Sequence, residues 1–219
     1  MILPAGSASP TPAGVEVVAA ITQRLVEVRS SVARRNSGVR KSKRDAWVQH
    51  LHFEHLHLGM TAPTFLELYE STGRGNNDWT IHRGGSIFIE GAQDLSVRGC
   101  TVAKTGGNAV FISHANQDIS IEENTISEVG DSGIAVVGTL VRSNGLAGRN
   151  FPLRVSVARN TIRQIGVYGK QVTGVYISVA GFVDVLDNVI SGSPSSGIKT
   201  DDTFIGGHRF MYVLLQPRC

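Results

Sequence analysis

A short unit recurs along the chain, and this repeat limits the possible folds more than any other feature. Five segments align, "GSIFIE", "NAVFIS", "SGIAVV", "TGVYIS" and "SGIKTD", and their third residues are Ile87, Val110, Ile134, Val175 and Ile198. The steps between them are 23, 24, 41 and 23 residues. Such units hold short alternating strands but leave no room for crossover helices. The repeat therefore predicts coils stacked into parallel β-sheets, which is a parallel β-helix.

A second register supports the same coils. The segments "DLSVRGCTV", "DISIEENTI", "RVSVARNTI" and "FVDVLDNVI" align without gaps, and their third residues from the end are Cys100, Asn124, Asn160 and Asn188. Asparagine tolerates the left-handed conformation of a tight corner, and its amide can bond to the coils above and below. We predict an internal asparagine ladder at this corner, with Cys100 as a buried structural thiol. The earlier stretch "LHFEHLHL" matches the same strands one coil before.

The repeat sets the expected boundaries along the chain. Coils are predicted for residues 46–207, and residues 208–219 form an atypical tail without a further repeat. Residues 1–45 are either a cap or earlier coils, since "RLVEV" alternates like a strand.

Composition excludes several classes of protein. The net charge is +3, and six basic residues fall within Arg34–Arg44 without an interleaved aromatic residue. This stretch is expected to be a solvated loop, and no nucleic-acid partner is predicted. No apolar run reaches the roughly 18 residues of a membrane span, and the N-terminus does not read as a secretory signal. The two cysteines do not make a disulfide framework.

Alternation in the "SGI" strand fixes which side chains point outward. One outward row contains Phe88, Phe111, Ala135, Tyr176 and Lys199, the next Glu90, Ser113, Val137, Ser178 and Asp201, and the strand ends carry Gly91, His114, Gly138, Val179 and Asp202. Exposed aromatic side chains beside a groove suit stacking on sugar rings, although a long loop could instead cover them. The candidate substrate-binding residues are Tyr176, Phe111, Gln171, Asp201 and His114.

Two insertions point to the same strand. About twelve extra residues lie between Val137 and Leu153, and about five lie near "GVYGKQVT". Both flank the strand that contains Tyr176, and loops beside a rigid sheet often carry binding residues.

Four residues are candidates for catalysis: Asp202, Asp131, Lys170 and Lys199. Asp131 lies two coils before Asp201, so stacking alone would separate them by ~10 Å, close to the ~6.5–9.5 Å of an inverting glycosidase. Lysines could instead serve as the base of a lyase, and aspartate clusters could bind Ca²⁺. No metal site is predicted from the histidines of "HLHFEHLH", which are mostly the outward residues of a strand.

The segments "TAPTFLELYE", "DWTIHRGGSIFIEGA", "GDSGIAVVG", "IGVYGKQ" and "GIKTDDTFIGG" resemble a family of large right-handed β-helix proteins of the pectin-lyase-like group. The resemblance covers about residues 15–208. It implies an all-β, right-handed, single-stranded parallel β-helix of five or more coils, extracellular, in polysaccharide chemistry as a hydrolase, lyase or epimerase. Asp202 matches the aspartate of a family motif near "GINFNDGFGGG", whereas Asp201 replaces its asparagine. Members continue with further coils, so this chain is expected to be truncated.

Three functions are consistent with these features. The chain could act on a polysaccharide, bind one without catalysis as a structural solenoid, or be an inactive fragment of a longer enzyme. No cofactor is certain, Ca²⁺ is possible, and the oligomeric state is left open.

Overall fold

Twenty short strands and no helix make up the described part of the chain. The computed structural model describes residues 21–30, 47–71, 80–139, 150–201, 209–211 and 214–216. The strands are β1 Val26–Arg29, β2 Val48–Glu54, β3 His57–Gly59, β4 Glu70–Ser71, β5 Thr80–Ile81, β6 Ile87–Glu90, β7 Ala92–Arg98, β8 Thr101–Thr105, β9 Val110–Ser113, β10 Asn116–Glu122, β11 Thr125–Val129, β12 Ile134–Val137, β13 Pro152–Ala158, β14 Thr161–Ile165, β15 Thr173–Ser178, β16 Gly181–Leu186, β17 Val189–Ser191, β18 Ser196–Asp201, β19 Arg209–Met211 and β20 Leu214–Gln216.

Three parallel sheets of six strands form the body of the fold. The first sheet has the order β1-β6-β9-β12-β15-β18, the second β19-β16-β13-β10-β7-β2, and the third β20-β17-β14-β11-β8-β3. Each coil contributes one strand to each sheet in turn, so neighbouring strands come from successive coils. This is the stacked solenoid that the sequence repeat predicts.

The register of the first sheet matches the alignment of the repeat. Ile134 pairs with Val110 on one side and with Val175 on the other, and Val175 pairs with Ile198. These side chains point into one continuous core together with apolar side chains of the other two sheets. The earlier strand is also confirmed, because Phe53 pairs with Val97 and Leu58 with Val102.

The asparagine ladder lies at the corner between the second and third sheets. The Asn160 Oδ1 accepts hydrogen bonds from the backbone N–H and the side-chain amide of Asn124, both 3.0 Å long. Asn188 Oδ1 accepts the corresponding two hydrogen bonds from the backbone N–H and the side-chain amide of Asn160, both 2.9 Å long. Cys100 is buried in the ladder, and its backbone N–H donates to Asn124 Oδ1 at 2.9 Å. The ladder and the buried thiol are confirmed.

The left-handed conformation at this corner falls on a different residue than expected. Positive φ angles occur at Gly99, Glu123, Arg159 and Asp187, each directly before the ladder position. The asparagines themselves are not left-handed, so that part of the prediction is wrong. The preceding residue makes the turn, and the asparagine is then free to direct its amide along the stack.

Strands also extend the sheets on both sides of the predicted coils. β1 pairs in parallel with β6, so "RLVEV" includes a strand of an earlier coil. β19 and β20 pair with β16 and β17 and continue the second and third sheets, whereas the sequence showed no further repeat there. Between β3 and β6 the chain makes a long insertion, residues 60–86, which carries the antiparallel pair β4 and β5. The basic stretch Arg34–Arg44 lies outside the described residues.

Candidate functional site

The outward face of the first sheet is covered rather than exposed. Phe88 is 1% exposed, and Phe111 and Tyr176 are 0% exposed. They form a second buried cluster with Ile81 from the long insertion. The expected exposed aromatic row is therefore wrong, and the covering segment considered as its alternative is present. Alternation fixes the direction of a side chain but not what packs against it.

Arginine side chains also cover the aromatic rings of this face. The Phe88 and Phe111 rings stack at 6.0 Å between centroids. The guanidinium groups of Arg24 and Arg29 lie 4.5 and 4.8 Å from the Phe88 centroid, and that of Arg83 lies 5.6 Å from the Phe111 centroid. A guanidinium over an aromatic face makes a cation–π contact and shields the ring from water.

Arg83 ties the insertion to the sheet. Its guanidinium binds both oxygens of the Glu70 carboxylate, at 2.9 to 3.0 Å. It also donates to the Ser113 hydroxyl at 3.2 Å and to the carbonyls of Val137 and Gly138. A planar group with five donors can make all these contacts at once, which a lysine could not.

Polar side chains gather where the strands of the first sheet end. At β6 and β9, the Ser113 hydroxyl donates to Glu90 Oε2 at 2.8 Å, and His114 Nδ1 lies 3.0 Å from the same oxygen. Burial would raise the pKa of Glu90, but the hydrogen bonds of His114 and Ser113 outweigh it and hold the pKa below its usual value. Among the described residues, no hydrogen bond involves His114 Nε2.

A second polar group ends the strands β15 and β18. The buried Tyr176 ring directs its hydroxyl to Asp201 Oδ2 at 2.9 Å, and Lys199 Nζ lies 3.2 Å from Asp201 Oδ1. Sheet register links the two groups, since Glu90 pairs with Ser113, Ser113 with Val137, Val137 with Ser178, and Ser178 with Asp201. We call this set of strand ends the polar edge: Glu90, Ser113, His114, Ser178, Lys199 and Asp201.

Asp131 lies at the opposite end of the first sheet. It precedes β12, whereas the polar edge follows the strands, and it is 3% exposed. Its Oδ2 accepts hydrogen bonds from the hydroxyls of Tyr69 at 2.7 Å and Thr64 at 3.1 Å. Burial raises the pKa of the Asp131 carboxyl above its ordinary value, against the effect of these two hydrogen bonds.

The structure does not bring Asp131 and Asp201 together. Residues 134–137 alone span ~10 Å along the strand, and two coils add ~10 Å across it, so the two backbones are ~14 Å or more apart. The stacking argument counted the coils but not this full strand length. An inverting pair of carboxylates is only ~6.5–9.5 Å apart. Asp131 and Asp201 are thus not a hydrolytic pair.

The remaining sequence candidates lie apart from the polar edge or outside the described residues. Lys170 is in the loop between β14 and β15, where Nζ donates to the carbonyls of Gly166 at 2.6 Å and Val167 at 3.2 Å. Gln171 follows it and is exposed. Asp202 lies outside the described residues. Of the nine candidates, the structure thus groups His114, Tyr176, Lys199 and Asp201 near one edge.

Sequence reasoning missed the long insertion and the residues it supplies. In the other coils, the step from the end of the third-sheet strand to the start of the first-sheet strand is five to eight residues, as from Thr105 to Val110 and from Ile165 to Thr173. Between β3 and β6 the step is 28 residues, from Gly59 to Ile87. This distance was readable in the sequence and would have drawn attention to Tyr69 and Arg83.

Two further structural properties bear on function. No group of three or more His, Cys, Asp or Glu side chains in the described residues could hold a metal ion. Among these residues there is also no helix of the length and hydrophobicity needed to cross a membrane.

Comparison with known proteins assigns the fold family. No curated protein and no solved structure matches the chain significantly. Residues 67–204, more than half of the chain, match the family model described as a right-handed β-helix region. This range includes most strands of the three parallel sheets and all of the polar edge. Sequence, register and family model agree that the chain belongs to the right-handed β-helix family.

Proposed function

We propose that the chain binds a polysaccharide along the polar edge of the first sheet. The observation that carries the proposal is the group of polar side chains at the strand ends of the first sheet, with an ionisable pair on each side of the coil that contributes Val137. Glu90 and His114 form one pair, and Asp201 and Lys199 the other. The sequence resemblance to β-helix proteins of polysaccharide chemistry supports the same class of ligand.

The spacing of the edge suits a long, hydroxyl-rich polymer. Four inter-strand steps separate Glu90 from Asp201, which corresponds to ~19 Å. Carboxylates accept hydrogen bonds from hydroxyl groups, while lysine and histidine side chains donate to them. Ser113, Val137 and Ser178 are buried, so a ligand that crosses the strands would contact His114 near one end of the edge and Lys199 and Asp201 at the other.

The distances favour binding over hydrolysis by two carboxylates. Glu90 and Asp201 are ~19 Å apart by register, well beyond the ~6.5–9.5 Å that an inverting pair requires. Binding therefore requires no further acidic group. Hydrolysis would require a second carboxylate close to Glu90 or to Asp201.

Proton abstraction at His114 is a second candidate function. The Glu90 carboxylate lies 3.0 Å from Nδ1, an arrangement that orients the imidazole. A general base must present a nitrogen to the substrate, and Nε2 has no hydrogen bond within the described residues. This arrangement would suit a lyase or an epimerase acting beside a uronate carboxylate.

Binding can be measured by affinity electrophoresis of the purified chain in gels that contain xylan, polygalacturonate, alginate or laminarin. We expect at least one polymer to retard the wild type, and His114→Ala and Asp201→Asn to reduce the retardation. The matched controls are His52→Ala and Asp118→Asn, because both remove the same kinds of group from the second sheet. Equal effects of the site and control variants, or no retardation by any polymer, would contradict the proposal.

Catalysis can be separated from binding with the same panel. Lyase activity gives an unsaturated uronate that absorbs ultraviolet light, and this product should disappear in His114→Gln while retardation largely persists. Asp202→Asn belongs among the tested variants because Asp202 matches the aspartate of the family motif in the sequence resemblance. Wild-type binding without this product on any uronate polymer would rule out the lyase.

A further inference from the structure

An exposed pair of aromatic rings lies at the other end of the first sheet. Phe65 is 54% exposed and Tyr168 is 49% exposed, although their ring centroids are only 5.6 Å apart. The rings are inclined by 48° to each other. We propose that Phe65 and Tyr168 form a stacking subsite for a sugar ring of the bound polysaccharide. This inference rests on the proposed function and adds a site that the polar edge does not contain.

The loop that carries Tyr168 is fixed by its backbone. The N–H groups of residues 166 to 169 donate to carbonyls of Val129, Gly130 and Asp131, at 2.9 to 3.1 Å. A Cβ atom at Gly169 would collide with the Asp131 carboxylate, so the close approach of this loop requires glycine there. Four backbone hydrogen bonds in succession leave the loop little freedom, and they place Tyr168 beside residues 129–131.

The segment that carries Phe65 is fixed to the same turn. The hydroxyls on either side of it, those of Thr64 and Tyr69, both donate to Asp131 Oδ2. The backbone N–H of Glu67 closes a tight turn by donating to the Thr64 carbonyl at 2.8 Å. Asp131 therefore acts as a positioning residue, since it holds the Phe65 segment directly and supports the Tyr168 loop.

This common anchor makes the aromatic pair suitable for ligand binding. Side chains on backbone segments that are already fixed lose less conformational freedom when a ligand binds, so more of the contact energy contributes to affinity. An aromatic face offers apolar surface, and the Tyr168 hydroxyl adds a polar group at the rim. A sugar ring has the same two parts, an apolar face of C–H groups and a rim of hydroxyls. The exposed side chains of Lys170 and Gln171 supply further polar groups nearby.

The position of the pair also suits a ligand shared with the polar edge. Tyr168 precedes β15, and Ser178 and Asp201 lie where β15 and β18 end. β15 has six residues, so the two sites are ~20 Å apart along the strand direction. All six residues of β15 are buried, so an oligosaccharide that reaches from the aromatic pair to the polar edge would pass over the segment that covers this strand.

An apolar ligand is the alternative that the test must separate. Leu66 and Leu68 are 87% and 91% exposed in the same segment. Without the polar groups around Tyr168, such a surface would fit a lipid bilayer equally well. The tests therefore include vesicles of phosphatidylcholine alongside the polysaccharides.

The experiment uses affinity electrophoresis of the full chain in the same four polymers. We expect Phe65→Ala and Tyr168→Ala each to weaken binding roughly five- to tenfold, as loss of a stacking ring does, while Tyr168→Phe keeps most of it. The matched control is Phe182→Ala, which removes a phenylalanine that is 47% exposed on the second sheet. It should leave binding unchanged. Circular dichroism of each variant confirms that the coils are intact.

The outcomes separate this inference from the proposed function. If the polymer retards the wild type, and polar-edge variants weaken binding while Phe65→Ala and Tyr168→Ala do not, the aromatic subsite is wrong and the proposed function stands. If only the aromatic variants weaken binding, the subsite stands and the polar edge is not the site. Flotation of the wild type with the vesicles, lost in Phe65→Ala, would overturn the sugar subsite in favour of a lipid surface. Absence of retardation by every polymer would overturn both proposals.

Discussion

Replacing Asn160 by alanine should destabilise the coils more than any loss of a surface hydrogen bond. Asn160 is 1% exposed in the middle of the ladder. Alanine would leave the Asn124 backbone N–H without its acceptor and would remove one of the two acceptors of the Asn124 amide. It would also remove the amide that donates to the Ile121 carbonyl at 2.8 Å and to Asn188 Oδ1 at 2.9 Å.

The expected cost follows from these four losses. A buried donor left without a partner costs about 1–3 kcal/mol, and each of the three further lost hydrogen bonds costs about 0.5–1.5 kcal/mol. The sum is about 2.5–7.5 kcal/mol in the free energy of unfolding. For a chain of this size, this corresponds to a fall of roughly 5–30 °C in Tm.

The matched variants are Cys100→Asn and Ser156→Ala. The Cys100 Sγ now lies 3.5 Å from the Leu56 backbone N and 3.6 Å from the Phe53 carbonyl oxygen. Asn124 accepts a hydrogen bond from the Cys100 N–H and donates one to the Val97 carbonyl. Asparagine at position 100 could bond in the same way to the Leu56 N–H and the Phe53 carbonyl, so stability should be unchanged or higher by about 1 kcal/mol. Ser156 bonds to Glu122 on the outer face, and its loss should cost less than about 1 kcal/mol.

Urea unfolding followed by circular dichroism gives the free energies, and hydrogen exchange at the Asn124 amide reports on the ladder itself. Exchange provides a local measure even where a repeat array does not unfold in one step. A cost below about 1 kcal/mol for Asn160→Ala, or strong destabilisation by Cys100→Asn, would refute the reasoning that buried ladder bonds hold the coils together.

Three further predictions concern charge, cover and backbone conformation. Because burial raises the pKa of Asp131, the protonated carboxyl contributes its full stability at low pH, and this contribution is lost as pH rises through the folded-state pKa. Asp131→Asn should therefore gain stability relative to wild type between pH 4 and pH 8 in urea titrations. Arg83→Lys cannot bridge Glu70, Ser113 and two carbonyls, so limited proteolysis should cut residues 60–71 several times faster than in wild type. Lys104 has φ of 55°, so Lys104→Gly should be more stable than Lys104→Ala by about 1 kcal/mol in thermal unfolding, the reverse of the usual order.

The repeat made the coils and their core predictable. A solenoid places equivalent residues of successive coils side by side, so alignment of "SGI" segments is also a prediction of strand register. The pairing of Tyr176 with Lys199 and of Ser178 with Asp201 followed directly. The same argument could not give the left-handed residue of the corner, since only the backbone shows whether Asn124 or Glu123 makes the turn.

The candidate site was less predictable because it depends on contacts that no repeat records. Phe111 and Tyr176 point outward as expected, yet Ile81 and Arg83 from the insertion cover this face. An exposed pair of aromatic rings is formed instead by Phe65 and Tyr168, on two segments about 100 residues apart in sequence. Their proximity comes from the Asp131 turn, to which both segments bind.

The sequence by itself determined the parallel coils, the inward and outward rows of the first sheet and the ladder positions. These depend on local alternation and on a constant repeat, which act within each coil and between neighbours. Only the tertiary structure decided which outward residues remain accessible, because burial depends on how insertions fold back over a sheet. It also decided that Asp131 and Asp201 are at opposite ends of that sheet, since stacking sets distance across strands and the position along the strand sets the rest.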